Sequence, residues 1–146
     1  MKNNRISTLV IRAIEKQSVS DVDVGLLRAA LEDGGCITAD EAEALLRIER
    51  LVGDACEAWG PFFVDTITAH VVWECRPTGR VTKDQADWVI GQIDQPRSAP
   101  NRLVSVLLAS LVSEAVEVDE RLLMRALSEN RFGGGATPAA EALKAA

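Results

Sequence analysis

Two stretches of the chain follow one template, and that template commits both places to a turn that hands over to a helix. The first reads Gly35-Cys36-Ile37-Thr38-Ala39-Asp40-Glu41-Ala42. The second, 44 positions on, reads Gly79-Arg80-Val81-Thr82-Lys83-Asp84-Gln85-Ala86. In each, a β-branched aliphatic two residues after glycine leads into Thr-x-x-Glu or Thr-x-x-Gln, which is a capping box. The threonine hydroxyl accepts from the amide three residues on, while the Glu41 or Gln85 side chain reaches back to the threonine amide. The first amides of a helix have no partner within it, so this pattern supplies what a helix start lacks.

Apolar residues at three- and four-residue spacing place further helices around these two. Ile6, Leu9, Val10, Ala13 and Ile14 mark a first helix over 6–16. Ser20-Asp21-Val22-Asp23 resembles a capping box for a second, with Val24, Leu27 and Leu31 on one side, ended by Asp33-Gly34-Gly35. Ala42, Leu45, Leu46, Ile48 and Val52 form the stripe of the third, and a fourth is expected over 61–75 with Pro61 at its first position. The fourth is apolar on most sides, the mark of a buried centre. Ala86, Val89, Ile90 and Ile93 carry the fifth, and 103–112 forms a nearly all-apolar sixth, expected to pack on the fourth. Asp119 caps a seventh with Leu122, Leu123, Ala126 and Leu127 as its stripe. The predicted fold is an all-α compact bundle of about seven helices with an internal pseudo-duplication of the turn-helix unit. One duplication is too few for a solenoid. Residues 1–132 read as a single all-α domain and 133–146, opening on Gly133-Gly134-Gly135, as a flexible Gly/Ala-rich tail.

Composition narrows the function classes. A net charge of −6 with no basic run argues against a nucleic-acid surface. No run of about 18 apolar residues offers a membrane span, and the N-terminus lacks the apolar core of a signal peptide. Cys36, Cys56 and Cys75 are odd in number and form no CxxC, so neither a disulfide framework nor a zinc site is signalled, and a reduced, cytoplasmic setting is expected.

The template has two family resemblances. Glycine, an aliphatic two residues later and an acid or amide six residues later, between two helices, resembles the second half of an EF-hand calcium loop. Aligned on Gly35 the loop offers Ala30, Glu32, Gly34 and Glu41; aligned on Gly79 it offers Glu74, Arg76, Thr78 and Gln85. Calcium takes about six to eight oxygens, and Arg76 would repel it, so only the first loop is a candidate. A helix-start signal used twice explains the same residues, and either way Ile37 and Val81 are expected side by side. The segment Glu32-Asp33-Gly34-Gly35-Cys36-Ile37-Thr38-Ala39-Asp40-Glu41 also resembles the tellurite-resistance B family. One residue more, Gly35 or Cys36, separates its Asp-Gly from the aliphatic, which alters the spacing of any ligand set. The resemblance implies an all-helical domain whose acids hold a divalent metal, with Asp33, Asp40 and Glu41 carried over. Glu32 joins them from the calcium-loop alignment.

His70 is the only histidine. On an α-helix it shares a face with Glu74, while Cys75 points about 100° from Glu74. A core or boundary imidazole and a Cys–His pair with Cys36 or Cys56 are the two readings of it. Trp88, outside the Val89/Ile90/Ile93 stripe, and Trp59 are candidate contact residues, since exposed tryptophan is enriched at binding hot spots; packing on the neighbouring connector is the other reading of Trp88. With no catalytic constellation and no phosphate loop, the expected function is contact with a protein partner or self-association, of adaptor or stress-response type, without catalysis or a cofactor. A divalent-cation module on the first loop is the alternative.

Overall fold

Both threonine caps form as the template requires. The Thr38 hydroxyl accepts from the Glu41 amide at 3.1 Å and Glu41 Oε1 accepts from the Thr38 amide at 2.9 Å. At the second start the Gln85 amide donates to the Thr82 hydroxyl at 3.3 Å, and the Thr82 amide donates to Gln85 Oε1 at 2.9 Å. The computed structural model describes residues 6–32, 36–75, 77–99 and 103–132, the last three by backbone alone. Residues 133–146, read above as a tail, and the Asp33-Gly34-Gly35 helix stop lie outside the described residues.

The chain is an all-α bundle. Its helices are α1 (Ser7–Lys16), α2 (Asp21–Glu32), α3 (Ala39–Leu51), α4 (Trp59–Thr68), α5 (Lys83–Ile93), α6 (Val104–Glu114) and α7 (Glu120–Phe132). α4 runs on without a break into a π-helical segment over Ala69–Glu74. Ser20 and Asp23 exchange the hydrogen bonds of a third capping box at the start of α2, and the Asp119 carboxylate accepts from the Arg121 amide at the start of α7. α4 starts two residues earlier than expected. Pro61 is therefore its third residue, still within the first turn, where a missing N–H leaves no intrahelical bond unmade.

Four two-residue strands had no signal in the sequence. β1 (Ser18–Val19) pairs in parallel with β2 (Asp54–Ala55), and β3 (Arg80–Val81) with β4 (Glu117–Val118). Parallel strands need a long crossover between them; α2 and α3 supply one, α5 and α6 the other. Each pair so ties the entry of one helical hairpin to its exit. The bridge partner of Val81 is Val118. The Ile37 amide donates to Glu74 Oε1 at 3.0 Å. Among the described residues no backbone hydrogen bond joins Ile37 to Val81.

The buried apolar residues of all seven helices form one contiguous cluster. Leu45 and Ile48 from α3, Phe63 and Ile67 from α4, Leu107, Leu108 and Leu111 from α6 and Leu122 from α7 are almost fully buried. Each is worth about 1.5–3 kcal/mol relative to an exposed side chain. α4 and α6, the two most apolar helices, pack on each other, and α7 covers α6 and α5. The stripe of α7 is narrower than expected. Leu122 and Ala126 are buried, but Leu123 and Leu127 are exposed.

The connector after α5 is held by charge and backbone together. The carbonyl of Arg50, one of the last in α3, accepts from the amides of Ser98 and Ala99, both at 2.9 Å. Arg97 Nη2 sits 2.6 and 2.7 Å from the two carboxylate oxygens of Glu49. That carboxylate is one of the few buried charges in the bundle. Burial raises its pKa above the ordinary range, with Arg97 pulling the other way.

Candidate functional site

Among the described residues, those expected to hold a metal are not brought together as a group of three or more. Glu32 is exposed at the end of α2, Asp33 lies outside the described residues, and Asp40 is half-buried in the first turn of α3. Glu41 is fully buried, and its carboxylate is engaged by the Thr38 amide. Among the described residues no three His, Cys, Asp or Glu side chains converge in a way that would hold an ion. The capping box engages one Glu41 oxygen with the Thr38 amide.

Trp59 is corrected as a contact residue. Only 3% of it is exposed. Its ring stacks on Phe63 at 5.4 Å between centroids and tilts against Phe62 at 5.9 Å. Trp88 is half-buried, and its indole tilts against the His70 ring with centroids 6.0 Å apart. The exposed tryptophan is Trp73, whose Nε1 donates to Glu114 Oε1 at 3.3 Å.

The grouping that does form comes from the π-helical segment. In an α-helix, residues five apart are about 140° apart in projection, because each residue advances about 100°. A π-helical turn closes from i to i+5 instead, and here the Cys75 amide donates to the His70 carbonyl at 3.0 Å. That closure carries Cys75 over His70, and Cys75 Sγ lies 3.8 Å from His70 Nε2. On the other side of the ring, Nδ1 lies 3.5 Å from Glu74 Oε1. Nδ1 is buried and makes no aligned hydrogen bond; the Glu74 oxygen is already accepting from the Ile37 amide.

These groups border a cavity of about 200 Å³ walled by Trp88 and Gln85 of α5, Ala39 of α3 and Val71. Asp84 also lines it. Burial pushes the Cys75 thiol above its ordinary pKa; a hydrogen bond with Gln85 opposes that and the Glu74 carboxylate adds to it. The thiol is accordingly held protonated at neutral pH. Cys75, not Cys36 or Cys56, is thus the partner of His70. The α-helical count along the sequence had turned it away.

A second feature is an apolar surface on α7. Leu123, Met124 and Leu127 are 40%, 59% and 59% exposed, and Val116, just ahead of β4, is 80% exposed. An open groove between α5 and α7 runs beside them, with Ile90 and Met124 among its apolar lining and Lys83, Arg121 and Arg125 among its polar lining. No described helix is long and apolar enough to cross a membrane. Compared with protein-family models, with curated proteins and with solved structures, the chain gives no match.

Proposed function

We propose that the protein works by contact with another protein chain, through the outer face of α7, and that the simplest such partner is a second copy of itself. The observation that carries this reading is that the apolar residues of α7 extend beyond its core-facing stripe. Leu122 and Ala126 face the core, while Leu123, Met124 and Leu127 stand in solvent. A surface helix gains nothing from three large exposed apolar side chains within five positions. Such surfaces mark interaction sites. Val116 extends the apolar character beyond the helix start, and Arg121 and Arg125 provide a polar edge of the kind that rims an interface.

Size-exclusion chromatography with light scattering tests this directly. The wild-type chain is expected to associate reversibly in the micromolar range. The Leu123→Asp/Leu127→Asp double variant is expected to be monomeric with unchanged helical circular dichroism. These two side chains contribute little to the fold, so loss of association without loss of structure is the signature. A wild-type chain that stays monomeric at every concentration, with no difference from the variant, would remove self-association through α7.

A further inference from the structure

The bundle places its only imidazole, a thiol and a carboxylate beside an apolar cavity, on residues that the α7 surface does not use. His70 is 8% exposed and lines the cavity, and its Nδ1 has the Glu74 carboxylate beside it without an aligned hydrogen bond. Its Nε2 faces Cys75 Sγ at 3.8 Å while Nδ1 faces Glu74 at 3.5 Å. With the ring proton on the Glu74 side, the Nε2 lone pair points at the thiol. Nucleophile, base and a group orienting the base are the parts of an activated thiol, and their distances run longer in a free site than in one engaged with its substrate. We propose that Cys75 is a covalent acceptor site: its thiol, with His70 as base, takes a small apolar acyl group from a thioester donor, and the cavity behind Trp88 houses that group.

The cavity selects the ligand class. At about 200 Å³ it is somewhat larger than the ~150 Å³ space that admits benzene, so a phenyl-sized or short branched acyl group fits. Val71 and Ala39 offer no partner to a charged group. Asp84 in the lining and Glu74 behind the ring disfavour an anionic one. A peroxide sensor is the other use of a cysteine, but such thiols are exposed and ionised, and this one is neither. A half-buried, protonated thiol needs a base that acts during the reaction.

The exchange balances without an oxidant or a second reactant. The Cys75 proton passes to His70 Nε2 as Sγ adds to the donor's thioester carbonyl carbon. The tetrahedral adduct then breaks its bond to the donor sulfur, and the leaving thiolate recovers the proton from His70. One thioester is consumed and one is formed on Cys75.

The test uses the full chain with Cys36→Ser and Cys56→Ser, so that Cys75 is the only thiol. Benzoyl and succinyl thioesters of N-acetylcysteamine serve as donors, and intact-mass spectrometry follows the adduct. Benzoyl transfer is expected at least tenfold faster to the native chain than to the same chain in urea at the same pH, since general-base assistance is worth about 10²–10⁴. Transfer of succinyl is expected to show no such excess. His70→Gln should abolish the excess. Glu74 is a positioning residue here, so Glu74→Gln, which keeps an acceptor, should retain most of the rate and Glu74→Leu should lose it. A native rate at or below the urea rate is what an inert buried thiol would give, and it would overturn the assignment even if the His70 variant failed to fold.

Discussion

Arg97→Met should destabilise the bundle by about 2–3 kcal/mol at pH 7 and by only about 1 kcal/mol near pH 4.5. The reason lies in what the substitution leaves behind. Arg97 carries both close hydrogen bonds to the Glu49 carboxylate, which is 5% exposed. With the guanidinium gone, folding buries an unpaired charge, a situation that costs about 3–5 kcal/mol when a buried pair is broken. The carboxylate can escape by taking a proton, which sets a ceiling. Protonating a carboxyl of ordinary pKa 4.5 at pH 7 costs about 3.4 kcal/mol, at about 1.36 kcal/mol per pH unit, and the burial that already raises the wild-type carboxyl takes part of that before any substitution. Lost packing of the arginine stem accounts for the remainder.

The sign follows from linkage. Glu49 has a folded pKa raised by burial even with Arg97 in place, so the native state binds its proton more tightly than the unfolded chain does. Stability is then greatest below the unfolded pKa and declines as pH rises from there to the folded value. Removing Arg97 raises the folded value further and widens that window. Urea unfolding at pH 4.5, 6 and 7 measures the effect, together with a melting shift of about 5–10 °C at pH 7 for a chain of this size. Glu49→Leu/Arg97→Met should recover most of the loss, because replacing both partners removes the stranded charge. An Arg97→Met penalty that does not change with pH, or a double variant as unstable as the single one, would refute the account.

Thr38→Ala and Thr82→Ala should each cost about 1 kcal/mol in urea unfolding. The cost at Thr38 should be the larger, because its box partner Glu41 is fully buried; equal stability of wild type and both variants would mean the caps are decorative. Gly79 has φ +80°, and a Cβ there would sit 3.4 Å from Trp73 Cζ3. Gly79→Ala should therefore cost about 1–2 kcal/mol for the left-handed backbone and shift Trp73 fluorescence, whereas a neutral or stabilising result would show that the turn relaxes freely.

Local chemistry was legible in the sequence where the partners lie within four residues of each other. Thr38 with Glu41, Thr82 with Gln85 and Ser20 with Asp23 all form, since a cap needs only its own turn. The stripes of α3 and α5 were legible too, because apolar spacing reports which way a helix faces. It does not report how wide the covered strip is, and so Leu123 and Leu127 were placed inward with Leu122. Trp59 was misplaced for a similar reason: side-chain type alone cannot say that two phenylalanines at 62 and 63 will enclose it.

The bridges of Val19 with Ala55 and Val81 with Val118 join residues more than 30 positions apart through two-residue strands, too short to leave a period. The His70–Cys75 contact was hidden by the assumption that an apolar helix keeps 3.6 residues per turn to its end. Here the Val72 carbonyl accepts from the Gly79 amide at 2.6 Å, a bond from beyond the helix that no count along it includes. The ladder widens over that last turn, and i+5 replaces i+4 as the residue above His70. The template that opened the sequence thus bears on the candidate site after all. Its second glycine turns the chain back onto Val72, so the helix end that carries the imidazole, the thiol and Glu74 is shaped by the same turn that starts α5.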